Sequence, residues 1–355
     1  MSHFIQLHIL TSYPPANLNR DDLGRPKTAK MGGSDRLRIS SQSLKRTWRT
    51  ADIFKDTLSG HIGTRTKRLG VSCYETLTTS GVAEKKALEW AKKIAGQFGS
   101  LKKDKKNPLN ELEIEQLVHI SNSEQELVNN LVATLSSEQR EPKDEELALL
   151  RRDEQAVDIA LFGRMLASKP VFNVEAACQV AHAISVHPVV IEDDYFTAVD
   201  DLNDNSIDAG AAHIGETGFA AGLFYSYICI NKTLLVENLS GDETLANSAV
   251  SALVEAAVKV APGGKQNSFG SRAYASYVMA ESGEQQPRSL SVAFLKPIDQ
   301  RSSQDFAADA IEALESQQTF FDETYGDCAD QRCVINATAT GGSTLKELLT
   351  FVASK

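Results

Sequence analysis

The chain has 355 residues, 42% of them hydrophobic and 24% charged, with a formal net charge of −10. That length holds a large core and either two domains or one domain with a big insertion, and the balance is that of an ordinary soluble globular protein. No run approaches the roughly 18 apolar residues of a membrane-spanning helix, the N-terminal FIQLHIL lacks the basic lead of a signal peptide, and five scattered cysteines fit a reducing cytoplasm.

Ile5, Leu7 and Ile9 alternate with Phe4, Gln6, His8 and Leu10, the period-two pattern of a first strand. A loop rich in Pro, Gly and Lys follows. Residues 36–39 read as a short strand entering the helix SQSLKRTWRTADIF (41–54), with Ser40 or Ser41 as its N-cap. On that helix Leu44, Trp48 and Ala51 share one face, and Gln42, Lys45 and Arg49 share another. From 60 to 182 the texture becomes polar and helical, with helices at 82–98 and 121–135, the latter opened by a Ser123-x-x-Glu126 capping box. One further helix is expected over 141–165. Strands are expected at 188–191 and 219–230, then a helix at 243–260, then strands near 274–280 and 290–295. A loop at 200–218, rich in Asp, Asn, Ala and Gly, has few anchoring hydrophobes and would be ordered by a partner.

Without the helical stretch the order is β-α-β-β-α-β, shared with RNA-recognition modules. The expected fold is therefore α+β: a ferredoxin-like (RRM-like) palm with a large helical insertion (fingers) and a thumb hairpin loop. The palm takes 1–59 and 183–355, the fingers 60–182, and the thumb 196–222.

Charge is unevenly spread. Residues 1–50 hold nine Lys/Arg against three acids, a net of +6, which leaves −16 for the remainder. Screening confines long-range repulsion to about 8 Å, so a local cationic surface still binds phosphate. A serine-capped helix start beside Lys45 and Arg49 gathers N–H groups, hydroxyls and cations around one point, a phosphate-binding arrangement. The bland alternative is a solvated amphipathic helix.

Catalytic chemistry finds little support. Asp21 and Asp22 are adjacent and point apart, and ion pairs with Arg20 or Arg25 explain them better. His182 and His187 lack a third metal ligand, and Cys328 and Cys333 make at most half a zinc site. PGGKQNSFG lacks the residues of a P-loop yet is a flexible loop able to present Lys265 to a phosphate. Met165 by itself is core filler, and Phe196–Val199 by themselves are a strand end.

NRDD at 19–22, the Gly32-Gly33 pair and RISSQSLKR at 38–46 closely resemble the crRNA-binding backbone subunit of the type I-E CRISPR Cascade complex, the CasC family. The likeness continues in VDIALFGRM (157–165), AHAISVH (181–187), FTAVDDL (196–202), AAHIG (211–215) and PGGKQ (262–266), and weakens at 60–150 and over the C-terminal sixty residues. The resemblance implies a non-enzymatic RNA-binding protomer that polymerises along a guide. Arg20, Lys27, Ser40, Gln42, Lys45 and Arg49 would hold the RNA backbone, with Lys265 and Gln266 on a second loop. Met165 from the fingers, with Phe196, Thr197, Val199 and His213 from the thumb, would displace bases. The implied partners are crRNA, further copies of the chain, other Cascade subunits, and target DNA through the guide. No cofactor or membrane is implied. The competing class is a metal-independent RNA endonuclease, for which His8, on an exposed strand face, and His61 are the candidates. A single-stranded DNA-coating protein is a third class.

Overall fold

The computed structural model describes residues 2–104, 107–152, 156–198, 213–299 and 303–354. Strand β1 (Phe4–Ala16) is buried on both faces, which overturns the exposed position expected for His8. Strands β2 (Thr28–Met31) and β3 (Ser34–Ile39) form a hairpin closed by Gly32-Gly33, with φ of 59° and 79°. Positive φ at both turn residues matches the strand twist. A Cβ on Gly32 would also lie 1.6 Å from the Leu295 carbonyl oxygen, so only glycine fits.

Helix α1 (Ser41–Arg49) follows, capped by the Ser40 hydroxyl. The single helix expected over 41–54 is instead two. Ala51 is extended, and α2 (Asp52–Thr57) starts afresh behind it, which lets Trp48 and Phe54 enter one core.

The stretch after α2 opens with β4 (Thr64–Thr66), α3 (Leu69–Thr79) and α4 (Glu84–Ala95), and continues with β5 (Val118–Ile120), antiparallel to β4, and α5 (Asn122–Glu138). It has its own core, built around Leu77, Trp90, Ile94, Phe98, Val128 and Leu135. The capping box of α5 is Ser121 with Glu124, not Ser123 with Glu126. Glu124 is fully buried and also takes the Arg151 N–H at 2.9 Å and Arg164 Nη1 at 2.7 Å. Those bonds wrap the following chain around the start of α5, so the helix expected over 141–165 does not form. In its place are a 3₁₀ turn (Asp144–Leu147) and the short α6 (Val157–Phe162).

Strands β6 (Cys178–Val180), β7 (Ala183–Ser185), β8 (Glu192–Ala198) and β9 (His213–Asn231) come next. The strand expected at 188–191 lies earlier, at β7; Pro188 has no N–H for a ladder. Helices α7 (Lys232–Asn238), α8 (Glu243–Lys259) and α9 (Gln266–Phe269), strand β10 (Tyr277–Gly283), α10 (Phe306–Tyr325), β11 (Gln331–Asn336) and α11 (Leu345–Ala353) complete the chain. The expected strand at 290–295 is a 3₁₀ turn, because Leu290 and Phe294, four apart, both enter the core.

The fold is α+β. Its main sheet runs β11-β10-β1-β9-β7-β3-β2 through antiparallel pairs, with β6 and β8 also on β9. One face is covered by α1, α2, α8 and α11, the other by α10 and the turn at Leu290–Phe294.

Candidate nucleic-acid interface

Burial of Leu44 and Trp48 turns the opposite face of α1 outward. There Gln42 and Arg46 are exposed, and Lys45 stands over the Phe162 ring at 5.8 Å. Ser40 is not available to a ligand in the same way. Its hydroxyl accepts from the Ser43 N–H at 3.3 Å, its own N–H donates to Asn19 Oδ1 at 2.8 Å, and the residue is 7% exposed. At the helix start His182 Nδ1 accepts from the Ser41 N–H and from Arg38, each at 3.2 Å. Partial burial, Arg38 and Lys27 all lower the His182 pKa, so this imidazole is a neutral acceptor amid cations.

Residues of β4, β5 and the loop after α6 face this helix across a cleft of about 350 Å³. Gln42, Lys45, Arg46 and Arg49 line one wall, and Arg65, Phe162 and Met165 line the other. Met165 is 82% exposed, and its neighbour explains why. Arg164 is buried, ion-paired to Glu124 and bonded to the carbonyls of His119, Arg151 and Phe172, so the loop after α6 is anchored and Met165 must face outward. Arg49 is less free than Lys45: its Nη1 donates to Asp158 Oδ2 at 3.3 Å. Asp158 is fully buried. Burial alone would raise its pKa, but hydrogen bonds from His119 and the Gly63 N–H, with Arg49 nearby, hold it below the usual carboxylate range.

Arg46 also lines a second cleft of about 670 Å³, together with Asn19, Arg20, Asp21, Thr47 and Gly264. The expected ion pairs of Asp21 do not form. Its carboxylate accepts the Leu23 and Arg25 N–H groups, and Arg25 pairs instead with Asp193 of β8 at 3.0 Å. Gly264 presses on the same loop, where a Cβ would lie 2.3 Å from the Leu18 carbonyl oxygen. Asn17 Nδ2 donates to the Gly24 and Gly218 carbonyls, both at 2.9 Å, tying this loop to β9. Lys27 is half-buried, its N–H donating to the Asn19 carbonyl at 2.8 Å.

Lys265 and Gln266 are half-buried and bonded within the chain. Lys265 has φ of 47°, and its Nζ donates to Thr217 Oγ1 on β9. Gln266 Nε2 donates to the Pro262 carbonyl at 3.0 Å. On the β8–β9 hairpin, Phe196 pairs across the strands with Gly215, where a Cβ would lie 2.4 Å from the ring. Strand alternation puts Thr197 on the opposite face from Phe196, beside the 66%-exposed Tyr195. Ala198 pairs with His213; Val199 and most of the loop at 200–218 lie outside the described residues.

A family model described as CT1975-like protein matches residues 5–350. The chain belongs to the CT1975-like family. The resemblance to the CasC family read from the sequence is borne out. A solved chain described as "CRISPR RNA-guided surveillance complex, pre-nicking" is 28% identical over 99% of both chains, with a TM-score of 0.85. Another, described as "CRISPR RNA-guided surveillance complex", is 26% identical over 99% of both, with a TM-score of 0.61. No curated protein matches.

The structure of this CT1975-like chain brings together Gln42, Lys45, Arg49 and Met165, and sets Arg20 in the adjoining cleft. Two cations were missed in the sequence. Arg46 lies inside the RISSQSLKR block, four residues after Gln42 and three before Arg49, so helical spacing already put it on their face. Arg65 carries no sequence signal, since only the β4–β5 pairing brings it near α1. Arg36, by contrast, is a structural cation: it is fully buried and donates to the Ser185 and Phe294 carbonyls. Among the described residues no group of three or more His, Cys, Asp or Glu is placed to hold a metal ion. His8 is fully buried between Tyr225 and Glu281.

Proposed function

We propose that the chain is a non-enzymatic backbone subunit of a type I-E CRISPR Cascade complex, which holds crRNA and polymerises side by side along it. One observation carries the proposal. The α1 cleft sets Lys45, Arg46, Arg49 and Arg65 around a water-open space that, among the described residues, no acidic side chain lines, with an exposed methionine at its rim. Cations with no base-shaped pocket suit contacts to phosphate and shape, which accept any guide sequence. Sequence selection is then left to pairing between guide and target DNA.

The same proposal includes a ferredoxin-like palm and a fingers insertion at 60–182. The antiparallel order β10-β1-β9-β7, with α1 after β1 and α8 after β9, supports it. Other Cascade subunits and further copies are the proposed partners. Five free thiols fit a cytoplasmic setting. The thumb is proposed to reach RNA held by a neighbouring copy through Phe196 and the loop beyond it.

Mixing purified chain with a guide RNA tests the reading. Sedimentation should show long RNA-bound assemblies, and gels should show intact RNA. Cutting of guide or target RNA that Asp21→Asn or His61→Ala abolishes would overturn it.

A further inference from the structure

The second cleft does not end at Gly264. The second cleft shares Val260, Ala261 and Gly263 with a third, of about 860 Å³, which lies beyond the PGGKQ loop and is walled by Arg272 and Tyr274. Burial alternates along this wall. Ser271 is fully buried, Ala273 and Ala275 pack on the core, and Arg272 and Tyr274 are exposed between them, Tyr274 by 70%. The wall is fixed in place, because the Ala275 N–H donates to the Val258 carbonyl and the Ser276 N–H to the Leu10 carbonyl, both at 2.8 Å. Lys259, the other cation of this cleft, is paired with Glu255 at 2.6 Å, whereas among the described residues Arg272 makes no side-chain hydrogen bond or ion pair.

We infer that Arg272 and Tyr274 form a nucleotide-binding platform on which single-stranded RNA leaving the α1 cleft is held, Tyr274 stacking on a base and Arg272 contacting a phosphate. The inference rests on the proposed RNA-binding function and extends it. Residues two apart in a period-two segment stand about 6.7 Å from one another on one side. A phosphate contact and a stacked base from the same stretch of strand therefore fit the pair. An exposed tyrosine on a rigid wall stacks at low entropic cost and accepts any base, because every base has a π-face. A free guanidinium beside it supplies the sequence-independent part of the contact. Arg46 lines both the first and the second cleft, and Val260, Ala261 and Gly263 line both the second and the third, so the clefts adjoin in that order along the path inferred for the strand.

The test measures binding of a fluorescein-labelled oligouridine to the full chain by anisotropy across a salt series. Tyr274→Ala should weaken binding about tenfold, within the range for removal of one stacked base, while Tyr274→Phe should bind like the native chain. Arg272→Ala should lower the log–log salt slope by about 0.7. Native-like binding by Tyr274→Ala and Arg272→Ala, beside weak binding by Lys45→Ala/Arg46→Ala, overturns the platform and leaves the proposed function standing. Native-like binding by all of them overturns both. Impaired assembly with unchanged oligouridine affinity would make the wall a protein contact and likewise overturn the platform.

Discussion

Arg49, on helix α1, donates to the buried carboxylate of Asp158, on α6. The same carboxylate takes His119 Nε2 at 2.7 Å and the Gly63 N–H at 2.9 Å. A cation of the cleft is thus tethered from behind, and α1 and α6 share one anion. Asp158→Ala would leave three donors without their acceptor and should cost about 3–5 kcal/mol. Arg49→Ala leaves two of those bonds intact and should cost about 1 kcal/mol. Urea unfolding measures both, and equal costs would mean that Asp158 is not the hub.

Lys45 and Arg46 have no carboxylate partner among the described residues, so their charge is available to phosphate. Lys45→Ala with Arg46→Ala should weaken RNA binding for all sequences alike and lower the salt slope by about 1.4, at about 0.7 for each phosphate no longer neutralised. Arg49→Ala should lower it less, because Asp158 already offsets its charge. An unchanged slope in the double variant would show that α1 does not touch phosphate.

Met165 and Arg164 are adjacent but opposite in role. Met165→Ala removes an 82%-exposed side chain and should change stability by less than about 0.5 kcal/mol while altering RNA binding. Arg164→Met strands the buried Glu124 carboxylate and should cost about 3–5 kcal/mol. Thermal unfolding separates the two, and a large destabilisation in Met165→Ala would mean that this residue is packed.

Stability should fall on mild acidification. Burial lowers the pKa of His8, despite Glu281 at 3.1 Å, with Arg288 and Arg332 also opposing its charge, and burial likewise lowers His187. His182 is lowered too. Each takes up its proton in the unfolded chain, near pH 6.5, before it does so in the folded one. The unfolded state then binds more protons, so stability is full above about pH 6.5 and is lost as pH falls below it. Glu281 and Asp158, both held low, add a further loss below the ordinary carboxylate range. Urea midpoints at pH 7.5 and pH 5.5 test the sign, and an equal or higher midpoint at pH 5.5 refutes it.

Much of the α1 region was legible because its signals are local. A serine cap, an apolar stripe at helical spacing and an opposed cationic face lie within ten residues, and packing of Leu44 and Trp48 then turns Lys45 and Arg46 outward. The period-two pattern of β1 was equally plain. Its failure at His8 is instructive: alternation tells which residues share a face, not whether the other face is wet. Here α10 and the turn at Leu290–Phe294 cover that face.

What failed depended on distant partners. Glu124 outcompetes Glu126 for the α5 cap because Arg164 and Arg151 reach it from forty and twenty-seven residues away, and the same bonds break the helix expected over 141–165. Lys265 and Gln266 look unpartnered in sequence, and only the tertiary structure brings Thr217 and the Pro262 carbonyl to them. The sequence by itself determined the α+β class, the family and the cationic face of α1, since periodicity, capping and motif are short-range properties. Only the tertiary structure decided which cations meet in one cleft and which, like Arg36 and Arg164, are consumed by buried carbonyls and carboxylates. A charge's availability depends on what the rest of the chain brings beside it.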